Sequence, residues 1–236
     1  MSTSAFPSGP AEERHVSIPF GLIRLEGSLV VPKDSRAAVM FAHGSGSSRH
    51  SPRNRYVARV LNDGNLATLL VDLLTPDEEA VDAQTAQLRF DIGLLAERVV
   101  MATDWLLRYP ETRNFSIGYF GASTGAAAAL VAAAKCPDVV GAVVSRGGRP
   151  DLAGAALDHV RTPTLLIVGG NDLQVIELNR QALTQLHAEK ELIIVRGATH
   201  LFVEPGTLDE VARLAREWLQ QYLTADYGSH RLPRSV

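Results

Sequence analysis

The apolar run Phe115-Ser116-Ile117-Gly118-Tyr119-Phe120 passes without a spacer into Gly121-Ala122-Ser123-Thr124-Gly125 and then into the alanine block Ala126–Ala129. A short apolar run of this kind reads as a buried strand. The stretch from Thr124 to Lys135 reads as a helix whose small side chains let it lie close against a sheet. To join the two in so few residues the backbone must turn sharply, and glycine is needed wherever a Cβ would clash. A chain that feeds a buried strand directly into a sheet-hugging helix is restricted to the layered α/β folds.

The rest of the chain repeats the alternation. Strands are predicted at Val16–Ile18 and Ser28–Val31, as an antiparallel start, and then at Ala38–Ala42, Ala67–Asp72, Phe115–Gly121, Gly141–Ser145, Thr164–Val168 and Leu192–Val195. The later ones are continuous apolar runs, as expected for central parallel strands covered on both faces. Ser51-Pro52 is an N-cap followed by proline at the first helical position, and its helix ends near Asp63-Gly64. Ile92, Leu95, Val99, Ala102 and Leu106 fall at spacings of three and four, which predicts a second helix. Further helices are expected at Thr124–Lys135, Leu173–His187 and Leu208–Tyr222, with one short helix near Asp151–His159. The acidic cluster Asp77–Asp82 after Thr75-Pro76 begins or precedes a helix, where acids suit the dipole. The segment from Ser145 to Pro163 is too short for a lid, so the fold class is α/β with a mostly parallel sheet, flanking helices and no large cap domain. Residues 1–13 are expected as a flexible N-terminal arm, 14–223 as one domain and 224–236 as a tail.

Composition excludes several function classes. A net charge of −3 gives no basic surface for nucleic acid. The single cysteine, Cys136, rules out a disulfide framework and a cysteine-rich zinc site. No apolar run is long enough for a spanning helix, and the N-terminus has neither a basic start nor an apolar core to make a secretory signal. The expectation is a cytoplasmic protein with no membrane partner, as a monomer or dimer.

The chemistry starts at Ser123. On a sharp strand-to-helix turn the hydroxyl stands clear of the sheet, and the helix aims its first N–H groups at the same spot. The plain alternative is a βα turn whose serine caps the helix. A serine hydroxyl needs a base oriented by an acid, and on such an elbow the acid comes next in the chain and the histidine last. Asp172 follows the strand Thr164–Val168, and His200 follows Leu192–Val195. Alone, Asp172 could cap the next helix and His200 could be a polar loop residue. Taken in order, each after a strand, the three make a Ser-His-Asp set. An acyl-transfer site also needs backbone N–H donors for the oxyanion. They are expected from Thr124 and from the loop His43-Gly44-Ser45-Gly46-Ser47-Ser48, with Ser45 preferred and Gly46 the alternative. His43 is read as bracing that loop.

These residues resemble an α/β-hydrolase, specifically a small dienelactone-hydrolase-like serine hydrolase. The likeness spans about residues 14–223 and rests on His43–Ser48, Gly121–Gly125, Asp172 and Thr199-His200. It is also similar to a hydrolase domain that some proteins fuse to a phosphoribosyltransferase, although no acidic pair with a TGxT motif is present. The resemblance implies an eight-stranded sheet with a reversed first strand, hydrolysis of esters or related acyl bonds, and no cofactor or metal. Dienelactone hydrolases proper use cysteine where this chain has Ser123, which fits carboxylesterase or thioesterase chemistry better than lactone specificity.

The expected function is hydrolysis of a small-molecule carboxylic ester with an accessible acyl group. Thioester hydrolysis or acyl transfer with the same three residues, and a non-catalytic binding role, are the alternatives. Arg49, Arg53, Arg146 and Arg149 are expected at the mouth, with Gly46, Arg49 and Arg146 as substrate-binding residues. The arginines could hold an anionic group, or pair with Asp72, Glu78, Glu79 or Glu204 and only fix loops.

Overall fold

The computed structural model describes residues 11–224. The expected arm and tail lie outside the described residues, apart from 11–13 and 224. Eight strands form one sheet: β1 (Glu13–Phe20), β2 (Ile23–Val30), β3 (Ala37–Ala42), β4 (Ala67–Val71), β5 (Ser116–Ala122), β6 (Val140–Arg146), β7 (Thr164–Gly169) and β8 (Lys190–Val195). Their spatial order is β1-β2-β4-β3-β5-β6-β7-β8. β3 to β8 run parallel, while β2 is antiparallel to both β1 and β4. The reversed strand is therefore the second, not the first. A hairpin reverses β1 into β2, and the second reversal from β2 to β4 returns the sheet to the direction of β1.

The described residues form six α-helices, α1 (Pro52–Asp63), α2 (Pro76–Thr85), α3 (Ile92–Leu106), α4 (Thr124–Lys135), α5 (Leu173–Gln185) and α6 (Thr207–Leu223), and all but α2 pack on the sheet. The alternation of the strands sorts the core into two layers. Met40, Ile117, Tyr119 and Val143 pack with α3 and α4. Phe41, Phe120, Ala142 and Val144, one residue out of step, pack with α1 and α6. Every residue of β3, β4 and β7 is buried, as continuous apolar runs require. β1 lies at an edge and buries only Val16 and Ile18, on alternate positions.

The helix ends follow local chemistry. Ser51 Oγ accepts the Asn54 N–H, with Pro52 at the first helical position. Thr75 and Glu78 form a capping box at α2. The expected short helix near Asp151–His159 is a pair of 3-10 turns over Pro150–His159, broken at Gly154, where φ is +52°. This connection is too small to form a cap over the strand ends. The architecture is the α/β-hydrolase fold without a large lid. No helix among the described residues is long and apolar enough to cross a membrane.

Candidate active site

The turn after β5 is as tight as its sequence requires. Ser123 takes φ +51° and ψ −122°, a left-handed conformation that a residue with a side chain adopts only under constraint. Close approach explains the flanking glycines. A Cβ on Gly121 would lie 2.4 Å from Ala126 Cα, and one on Gly125 would lie 2.2 Å from the Ala42 carbonyl oxygen. Both neighbours are backbone, so no larger residue fits. The Ser123 side chain caps nothing, which sets aside the N-cap alternative. Ser123 is half-buried just before the first residue of α4, where the free N–H groups and the helix dipole favour negative charge.

Asp172 and His200 come together from separate loops. His200 Nδ1 lies 2.7 Å from Asp172 Oδ2. The carboxylate holds the proton on Nδ1 and leaves Nε2 as the basic atom. Asp172 precedes α5 but makes no side-chain cap bond, so its carboxylate is kept for the imidazole. The His200 loop is fixed at two points. Glu204 Oε2 accepts the Thr199 N–H at 3.0 Å, and the Phe202 ring is buried in the α1/α6 layer. Gly147, just beyond β6, connects this loop to the elbow. A Cβ there would lie 3.1 Å from the His200 carbonyl oxygen, while the Ser123 N–H donates to the Arg146 carbonyl at 3.2 Å.

The loop after β3 reaches the same place. Gly44 packs against Ser123, where an added Cβ would fall 2.9 Å from Ser123 Cβ. His43 is buried: its Nδ1–H donates to the Gly44 carbonyl at 3.0 Å, and its Nε2 accepts the Leu73 N–H at 3.1 Å. Burial pushes its pKa down, against the opposing pull of the Gly44 carbonyl and Asp72. It braces the loop as a neutral ring. The Ser45 N–H, expected to face an oxyanion, donates here to Thr124 Oγ1 at 2.9 Å. The Thr124 hydroxyl lies where that amide points, so the Ser45 donor is already engaged. Gly46, at φ +66°, is the neighbouring amide on the same loop.

A cleft of about 310 Å³ opens beside this loop, lined by His43–Ser48, Leu74, Glu79, Asp82, Arg89 and Leu95. A larger hollow of about 1000 Å³ lies between β2 and α1. None of Ser123, Asp172 and His200 lines either one; the smaller borders the elbow through Gly44, which packs against Ser123. The sequence reading placed Asp77–Asp82 on a helix but did not place that helix at the cleft. The length of the excursion from β4 to α3 was the available signal. Glu79 lies near Asp72 and, one turn along α2, Asp82; burial followed by these like charges raises its pKa, with Arg49 acting the other way.

The arginines depart from the expected rim. Arg49 donates its N–H to Asp72 Oδ1 at 2.6 Å, and its guanidinium pairs with the other carboxylate oxygen. It fixes the loop after β3 and is not free for a substrate. Arg149 is held bidentately by Asp151 at 2.8 and 2.7 Å. Arg146 is not on a rim: it points into the α1 face and is 5% exposed. The helical register and strand alternation that decide these partners are tertiary, and composition could not show them. Among the described residues no group of three or more His, Cys, Asp or Glu is placed to hold a metal ion.

Comparison with known proteins agrees with this architecture. The sequence model of the dienelactone hydrolase family matches residues 25–224. A dienelactone hydrolase from Anabaena variabilis is 60% identical, with a TM-score of 0.89 over 91% of this chain and 99% of that one. Two Mycobacterium tuberculosis proteins, from strains CDC 1551 and H37Rv, carry the provisional name phosphoribosyl transferase. Each is 55% identical over 214 residues, covering 91% of this chain and 47% of its own length. The chain thus spans about half the length of these curated relatives. Est1E from Butyrivibrio proteoclasticus shares the fold at 17% identity and a TM-score of 0.74, over 89% of this chain and 99% of that one. XC6422 from Xanthomonas campestris, described as an α/β serine hydrolase without lid, does so at 18% and 0.70, over 93% and 99%.

Proposed function

The chain belongs to the dienelactone hydrolase family, and on that premise we propose that it is a serine hydrolase that cleaves carboxylic esters through an acyl-enzyme intermediate. The observation that carries the reading is Ser123 at φ +51° on the elbow, in a fold that also sets His200 Nδ1 2.7 Å from Asp172. Ser123 Oγ attacks the ester carbonyl, and its proton passes to His200 Nε2. Asp172 keeps the imidazole in the tautomer that can accept that proton and stabilises the imidazolium that results. The tetrahedral oxygen takes the Thr124 N–H together with the Gly46 N–H, since the Ser45 N–H is held by Thr124 Oγ1. His200 returns the proton to the leaving alcohol, and water repeats the sequence to release the acid. The absence of a lid domain between β6 and β7, where the chain makes only the short turns at Pro150–His159, favours small or accessible acyl groups.

The transferase named for the mycobacterial relatives is not proposed for this chain, whose matching residues are those of the hydrolase fold. The test is covalent labelling with a fluorophosphonate, followed by a chain-length series of nitrophenyl esters. Wild type is expected to label and to turn over short esters. Ser123→Ala is expected to lose the label and to reduce kcat by roughly 10⁶-fold, as when a nucleophile acts as one unit with its base. A folded Ser123→Ala protein that keeps most of its turnover would refute the assignment.

A further inference from the structure

The helices α2, α3, α4, α5 and α6 each carry one threonine. All but one of these hydroxyls donate to a backbone carbonyl. Thr85 donates to Val81, Thr103 to Val99, Thr184 to Gln181 and Thr207 to Glu204, at 3.1, 2.9, 2.7 and 2.7 Å. Thr124, the first residue of α4, is the exception. Its Oγ1 accepts the Ser45 N–H at 2.9 Å, and among the described residues its own proton meets no acceptor. The residue is 3% exposed. A hydroxyl that has accepted one bond still has a proton to give, and a buried donor calls for a partner.

Its place at the start of a helix does not account for this. Thr207 is also the first residue of its helix, and it turns its hydroxyl back to the carbonyl three residues earlier. Three residues before Thr124 lies Gly121, inside β5, where backbone carbonyls are aimed at the strands on either side. What surrounds Thr124 instead is the chemistry. Its own N–H is one of the free amides at the start of α4, next to Ser123. The loop after β3 closes on the same point, with Gly44 against Ser123 and the Ser45 amide directed at Thr124 Oγ1. The hydroxyl therefore sits between that loop and the elbow.

We propose that the Thr124 hydroxyl is a third donor to the oxyanion, and that the Ser45 amide acts on the oxyanion through it. This rests on the ester-hydrolase reading. As Ser123 Oγ bonds to the carbonyl carbon, its proton passes to His200 Nε2 and the C=O electron pair moves onto the oxygen. That oxygen takes the Thr124 Oγ–H along with the Thr124 and Gly46 N–H groups. When the pair returns to re-form C=O, the alcohol leaves with the proton from His200. The bond accepted from Ser45 makes the hydroxyl a better donor, because each link of a hydrogen-bond chain polarises the next. Burial and the Ser45 bond also fix the hydroxyl before substrate arrives, as a preorganised oxyanion donor requires.

Kinetics on the intact protein separate this role from one of merely holding the loop. Thr124→Val keeps the shape and removes the hydroxyl. Its kcat on a nitrophenyl ester is expected to fall about 10²-fold, the usual cost of one oxyanion donor, with KM changed far less. Thr124→Ser keeps the donor and should stay within about threefold of wild type. Comparing the ester with its thionoester identifies what was lost. Sulfur is a weak acceptor, so removing a donor penalises the oxygen ester more. The ratio of kcat/KM on the ester to that on the thionoester is expected to drop about tenfold in Thr124→Val. A Thr124→Val protein that keeps its kcat, or that loses equally on both esters, would overturn the proposal.

The second measurement needs no variant. A trifluoromethyl ketone captures Ser123 as a hemiketal, whose oxygen stands for the oxyanion. In a crystal structure of that adduct Thr124 Oγ1 is expected about 2.5–3.0 Å from this oxygen. A separation beyond about 3.5 Å in a protein that cleaves esters would overturn the role of Thr124 and leave the hydrolase reading standing. A folded wild type that turns over no ester and forms no hemiketal would remove the hydrolase reading, and the role of Thr124 with it.

Discussion

His43 shows how one buried ring can make a loop depend on pH. It is neutral because burial disfavours the imidazolium, and its two hydrogen bonds hold one nitrogen as donor and the other as acceptor. Its folded pKa lies below the unfolded value near 6.5. Above that value neither state binds the proton and no stability is lost. As pH falls below it, the unfolded chain takes up the proton and the folded protein does not, so stability declines. The slope reaches at most about 1.4 kcal/mol per pH unit for one group. His187 and His200 also lie beside carboxylates, so the comparison must isolate His43. Urea unfolding at pH 7.5 and 5.5 should show a larger loss in wild type than in His43→Gln; parallel losses would remove His43 as the cause. At this scale the sequence was most legible where sterics alone decide. The glycines around Ser123 mark close backbone approach wherever the chain goes next. The arginines were least legible, because Arg49 and Arg146 differ only in whether the fold brings an acid within reach.

The element whose place was hardest to read is α2. Its start was plain from Thr75-Pro76, yet it buries only Asp82, so no apolar stripe marks the face it turns inward. Glu78 secures the helix twice: Oε2 accepts the Thr75 N–H at 2.8 Å, and Oε1 accepts from Arg98 on α3 at 2.6 Å. Asp82 adds a second fastening, with its carboxylate on the Arg89 N–H and Nε. Glu78→Ala removes both bonds of the carboxylate and should lower stability by about 1–2 kcal/mol. Glu78→Gln keeps an acceptor for the cap and should cost less. α2 carries Glu79 and Asp82 at the cleft, so Glu78→Ala should also raise KM for the preferred ester. Denaturant midpoints and steady-state kinetics on both variants check this, and equal stability losses would show that the charge on Arg98, not the cap, does the fastening. Strand direction was legible in part. β1 and β2 read as an antiparallel start and are one, but a hairpin records only that its strands oppose each other, not which of them runs against the rest of the sheet.

At the scale of the molecule, the site joins parts held by different layers. Ser123 rides on α4, which packs with α3, while the His200 loop is anchored in the α1/α6 layer through Phe202. The sheet joins the two, with Gly147 bridging the His200 loop and the elbow at its edge. The catalytic geometry should therefore depend on how the loop is seated in the second layer, beyond that layer's general stability. Phe202 and Leu219 separate these effects. Both are essentially inaccessible, at 1% and 0%, in the same core cluster. Leu219 packs under α6 against Gly118 on β5, while Phe202 is two residues from His200. Each truncation to alanine opens a cavity costing about 2–5 kcal/mol, which a domain with an ordinary reserve of about 5–15 kcal/mol survives. Well below both unfolding midpoints, Leu219→Ala should keep kcat close to wild type. Phe202→Ala should lower kcat by about tenfold or more and slow fluorophosphonate labelling, because a base displaced by a fraction of an ångström no longer meets the hydroxyl in line. KM should change less than kcat, since the cleft beside Gly46 and Glu79 belongs to other elements. If the two variants lost kcat alike, the loop's anchor would have no role separate from the core's; if Phe202→Ala kept full kcat, the loop would be held by Glu204 and Asp172 alone.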